Sequence, residues 1–111
     1  MPSCPSITSF SLSLNGQREL RDIQEILKVS QWLQTLLVGG SLLNALANDR
    51  VIPSVFSITT TDWALLGKAV SGVPIIAQNR IEQISGLMAL RTRGKEHEFW
   101  QAMYDLCMFN N

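Results

Sequence analysis

The chain is poor in the residues from which active sites are built. It has a single histidine, His97, two cysteines at opposite ends, Cys4 and Cys107, and nine acidic residues in no evident pair. General acid–base and nucleophilic chemistry draw on those side chains, so no local catalytic motif is present. No Cys/His spacing suits zinc, and neither metal nor cofactor is expected. Two cysteines do not make a disulfide framework. A Cys4–Cys107 bridge would need the two ends to meet, and free thiols in a reducing cytosol are the preferred reading.

Charge is scarce too. Charged residues make up 16% of the chain, against about 25% in an average soluble domain. Nine Lys and Arg offset nine Asp and Glu. Zero net charge removes the basic excess that drives general nucleic-acid binding through phosphate neutralisation. The first residues, Met-Pro-Ser-Cys-Pro-Ser, lack the basic region and apolar run of a secretory signal. The most apolar stretch, Trp32 to Ala47, is broken by Gln34, Thr35, Gly39-Gly40, Ser41 and Asn44. It falls short of the ~20 residues a bilayer span needs. The expectation is a soluble, cytoplasmic protein with no membrane span.

What the chain does have is apolar mass: 46% hydrophobic residues and three tryptophans in 111 positions. That length reads as one domain, 1–111, with residues 1–8 flexible. A high apolar fraction with few charges to cover it is what a subunit with a buried interface looks like. A homo-oligomer or a protein partner is therefore expected, over a monomer with a Ser/Thr/Asn/Gln-rich surface.

Phe10, Leu12 and Leu14 alternate with serines, which is the strand signature. Asn15-Gly16 then reads as a turn. From Gln17 the period changes to three and four: Leu20, Ile23, Ile26, Leu27, Leu33, Leu36 and Leu37 predict one long helix over 17–38. Arg21–Glu25 and Glu25–Lys28 would add weak pairs along it. Gly39-Gly40 should end it, and Ser41 should cap a short helix over 42–47. Pro53 excludes a central strand, leaving an edge strand over 54–58 or an apolar loop. Thr59-Thr60-Thr61-Asp62 supplies cap residues for a helix over 62–71. Another is expected from Pro74 or Ile76 to Arg91, with Ile81, Ile84, Leu87, Met88 and Leu90 inward. The last, 95–108, carries Phe99, Trp100, Met103, Leu106 and Cys107 on a broad face.

Few residues suggest chemistry. His97 lies between two glutamates and reads as a solvated surface histidine. The threonine run could bind an anion at a helix start, but Asp62 would repel it, and capping explains the run. Gly67-Lys68 lacks the spacing of a phosphate loop and falls inside a helix. Arg91, Arg93 and Lys95 form the only basic cluster. Their ordinary role is to complement a helix dipole, yet they are also the best handle for an acidic partner. Tryptophan is enriched at binding hot spots. Trp100 is the one expected at an interface, since Phe99, Met103 and Cys107 can fill the core without it.

The expected fold is mainly α, a bundle of about four to five helices with one or two short strands; α+β is the alternative. The expected function is a non-enzymatic protein-interaction module acting through an apolar helical face, with Arg91, Arg93, Lys95 and Trp100 as partner-binding residues. A small nucleic-acid-binding regulator using Arg91, Arg93 and Lys95 is the alternative, not favoured because the last helix begins with acid. A third reading is an enzyme whose site forms only between subunits.

Overall fold

Two short strands open the fold. In a computed structural model, which describes residues 6–109 and their side chains as far as 106, β1 (Ile7–Ser11) pairs antiparallel with β2 (Val55–Ile58). The register sets Ile7 against Ile58, Phe10 against Phe56 and Ser11 against Val55. An irregularity falls between Ile7 and Phe10, where Ser9 sits at φ 43° and its N–H donates to the Ser57 hydroxyl. That extra residue is why Ile7 and Phe10, three apart, both point inward, and β1 ends at Ser11 because Ser13 already caps the next helix. Ile7 and Thr8 belong to β1, with Ile7 buried, and the Ser6 hydroxyl meets Thr60. Residues 1–5, and with them Cys4, lie outside the described residues, as does the Cys107 side chain.

Asn15-Gly16 is not a turn. Both residues belong to the first turn of α1 (Leu14–Leu27), capped by the Ser13 hydroxyl, which accepts from the Gly16 N–H. Leu14, expected to end a strand, is solvent-exposed. Leu20, Ile23 and Leu27 bury the inner stripe of α1 as the period predicts. Lys28 reaches both Glu25 and Asp49 on the outer side.

The long helix of the sequence reading stops at Leu27. Ser30 ends it: its hydroxyl donates to the Ala69 carbonyl and accepts from the Trp32 N–H. A serine that finds backbone partners off the helix competes with the helical ladder. The chain then turns through a 3₁₀ helix, Leu33–Val38, in which Leu36 is buried, Leu33 is half-buried and Leu37 is exposed.

The short helix α2 (Ser41–Ala47) buries Leu42, Leu43 and Leu46 as expected, although Gly40 and not Ser41 is its cap. Helix α3 (Thr60–Ser71) carries a full capping box: Thr59 Oγ1 accepts from the Asp62 N–H, and Asp62 Oδ2 accepts from the Thr59 N–H. The other Asp62 oxygen accepts from the Gly40 N–H at 3.1 Å, so one buried carboxylate starts two helices. Capping therefore accounts for the threonine run, as the sequence implied.

The two longest helices close the fold. Helix α4 (Ile75–Arg91) lies against α5 (Gly94–Phe109), joined by a tight turn in which Gly94 takes φ 67°, a conformation that favours glycine. At the centre is an aromatic cluster. Phe99 meets Phe10, Phe56, Trp63 and Trp100 with ring centroids 5.1–5.9 Å apart, tying both strands, α3 and α5 together. The architecture is mainly α, with five α-helices, one 3₁₀ helix and a two-stranded sheet among the described residues. None of these helices is long and apolar enough to cross a membrane.

Candidate interaction surface

The expected basic cluster is split by the structure. Arg91, Arg93 and Lys95 are all exposed, but Lys95 turns back, its ammonium donating to the Thr8 carbonyl at 2.8 Å. Its neighbours do the same. Glu96 accepts from the Ser13 N–H (3.1 Å), the Ser13 hydroxyl (3.0 Å) and the Trp100 indole N–H (3.2 Å). His97 is half-buried, with Nδ1 2.7 Å from the Ala89 carbonyl. A carbonyl only accepts, so Nδ1 carries the proton. Lys95-Glu96-His97 is thus a tether from the start of α5 to β1, to the cap of α1 and to the end of α4. The solvated surface histidine of the sequence reading is corrected accordingly.

Trp100 is likewise not on the surface. It is 0% exposed, edge-on to Phe99, with its N–H held by Glu96. Two adjacent aromatics are both buried because α5 packs against α4 on one side and against β1 and α3 on the other. The accessible tryptophan is Trp32, 39% exposed, with the Lys68 ammonium 4.7 Å from its ring centroid.

What is left open is the outer face of α4. Ile81, Ile84, Ser85 and Met88 form its buried side. Leu87 and Leu90, expected to join them, point outward with Ile76: Ile76 is 83% and Leu90 85% exposed. Ile76, Arg80, Gln83, Leu87 and Leu90 are all exposed and follow one another at spacings of four and three. At 100° per residue they fall within about 80° of one another on the helix surface. The stripe is about 21 Å long at 1.5 Å per residue. Arg91 borders its far end, and Arg93 follows in the turn to α5. The guanidinium groups of Arg80, Arg91 and Arg93 make no hydrogen bond or ion pair with the described residues. The only carboxylate on α4, Glu82, sits on the flank, half-buried and off the stripe.

A surface helix ordinarily shows polar residues outward. Here both sides are apolar, and three or four-residue spacing alone could not tell which set packs inside. The available signal was that the 81/84/88 set and the 76/83/87/90 set are centred about 120° apart on one helical wheel. Among the described residues no three His, Cys, Asp or Glu side chains converge as a metal site would need. Comparison of the chain with known protein families, curated proteins and solved structures finds no match.

Proposed function

We propose that this chain is a non-enzymatic protein-interaction module, an adaptor, assembly factor or regulatory subunit, that engages its partner through the outer face of α4. The observation that supports the reading is the stripe of Ile76, Leu87 and Leu90, large apolar side chains left in water along one line of a well-packed helix. Large apolar side chains gathered in water on one helix face are a mark of interaction sites in soluble proteins. The reading places the protein in the cytoplasm, where its two thiols stay reduced.

Replacing Leu87 and Leu90 by Asp tests it. Both side chains are exposed, so thermal unfolding should be nearly unchanged. Proteins that co-purify with the wild-type chain from its native host should be lost from the variant. Capture of the same proteins by both forms would remove α4 as the contact.

The nucleic-acid reading keeps one supporting observation, the unbonded guanidinium groups of Arg91 and Arg93. Against it, the Lys95 ammonium is held by Thr8, and Glu96 and Glu98 follow directly. A steep fall of binding with salt would mark nucleic acid, since each neutralised phosphate releases counterions.

A further inference from the structure

The charges along the α4 stripe narrow the kind of partner it takes. We infer that this face docks an acidic amphipathic helix, a partner segment of about four turns with apolar residues at four-and-three spacing and carboxylates along their flanks. The inference rests on the interaction reading above and adds the partner's shape and charge.

Shape comes first. The open surface is one helix wide and about 21 Å long, and its apolar residues sit at the positions one helix presents to another. A helix laid alongside would cover Ile76, Leu87 and Leu90 at once. A broad globular face would meet only this narrow ridge.

Charge decides the rest. Arg80 interrupts the stripe between Ile76 and Leu87, Arg91 borders Leu90, and Arg93 follows. None is neutralised by the described residues, and no exposed carboxylate lies on the stripe. A partner that covers the apolar residues also takes water from around Arg80. A charge so covered needs an opposite charge beside it. A basic or neutral helix would leave three guanidinium groups unpaired.

A second copy of this chain fits less well. In a parallel pairing of the stripe with itself, each arginine meets its own counterpart. In an antiparallel pairing, Arg91 and Arg93 extend beside the start of the other α4, where Ile75, Ile76 and Ala77 offer no carboxylate. Either arrangement leaves the basic residues unmatched, which favours an acidic heterologous helix.

The probe is a synthetic 18-residue peptide with Leu at four-and-three spacing and Glu on the flanking positions. Two controls replace every Glu by Gln or by Lys. Binding is followed by fluorescence anisotropy, and its location by amide shifts of the ¹⁵N-labelled chain. The Glu peptide should bind with shifts concentrated at residues 76–93, at least tenfold more tightly than the Gln peptide, and more weakly at high salt. Arg80→Glu with Arg91→Glu should lose at least tenfold for the Glu peptide and gain affinity for the Lys peptide. That exchange of preference shows that the variant remains folded and that charge sets the choice.

Equal binding of the Glu and Gln peptides would overturn the acidic inference while leaving the apolar face as a docking site. Absence of binding by every peptide up to millimolar concentration would overturn it as well. A dimer in sedimentation that Leu87→Asp dissolves would make a second copy the occupant. Loss of host partners in the Leu87/Leu90 variant is read separately, so failure of the charge argument and failure of the interaction reading remain distinguishable.

Discussion

Gly16 should resist replacement by alanine, against the usual rule for a helix. Exchange of glycine for alanine in a helix interior ordinarily stabilises by up to about 1 kcal/mol. Gly16 lies in the first turn of α1, where a Cβ would come 2.3 Å from Glu96 Oε2. That carboxylate cannot move without releasing Ser13 and Trp100. The exposed Ser13 groups can turn to water at small cost. The Trp100 indole N–H is buried and cannot, and an orphaned buried donor costs about 1–3 kcal/mol. Set against the helical gain, Gly16→Ala should lose about 1–2 kcal/mol, a fall in Tm of roughly 5–10 °C for a domain of this size. Urea unfolding of a double-mutant cycle with Glu96→Ala isolates the cause. Without the carboxylate, Gly16→Ala should cost little or become stabilising, because the next contacts, Leu12 Cβ at 3.2 Å and Ser13 Oγ at 3.3 Å, ask only for small adjustments. A stabilised single variant, or the same loss with and without Glu96, would refute the reasoning.

Three further outcomes are expected. Leu27→Ala, at a fully buried position, should cost about 2–5 kcal/mol by urea unfolding, while Leu33→Ala, half-buried in the 3₁₀ helix, should cost clearly less. Hydrogen bonds to Glu25 and then to Asp49 hold the pKa of Lys28 above its ordinary 10.5. A raised folded pKa means that this contribution is present below the unfolded value and is lost as pH rises through the folded one. The urea midpoint of the wild type should therefore fall toward that of Lys28→Gln on the alkaline side of 10.5, and parallel curves across that range would contradict it. His97→Gln should leave function in the host within about twofold, where loss of a true general base would cost ~10²–10⁴. The same variant should unfold at a lower temperature, because the glutamine amide N–H lies further out than the imidazole Nδ1 that holds the Ala89 carbonyl. A hundredfold functional loss with the fold intact would bring back an active site formed between subunits.

Most helices were legible because their apolar period and their cap residues agree. Thr59 and Asp62 mark the start of α3, and Leu42, Leu43 and Leu46 face inward as the pattern says. The end of α1 was not legible. Leucines continue at helical spacing through position 37, and the hydroxyl that breaks the run, on Ser30, finds its acceptor 39 residues away at Ala69. Trp100 was misplaced for a related reason: one sequence cannot show that α5 is covered on more than one side. The stripe on α4 was hidden by its own regularity, since Leu87 and Leu90 fit a three-and-four pattern as well as Ile84 and Met88 do. Arg91 and Arg93 were legible as exposed basic residues. The diversion of Lys95 to Thr8 was not, because the partner is a backbone carbonyl 87 positions earlier.

The turn Lys95-Glu96-His97 also bears on the order in which the protein takes shape as it is made. The cap of α1 and the edge of β1 are secured by side chains that leave the ribosome only after all the elements from β1 to α4. Until then Ser13 has no carboxylate to hold it, and β1 lacks Phe99, the ring at the centre of the aromatic cluster. Contacts so distant in sequence carry a loop-closure cost that nearer ones do not. β1, synthesised before the residues of α5 that hold it, is therefore among the last of these elements to lock. Through that interval the apolar residues of β1, still without Phe99 to cover them, are open to chaperones, and to neighbouring nascent chains.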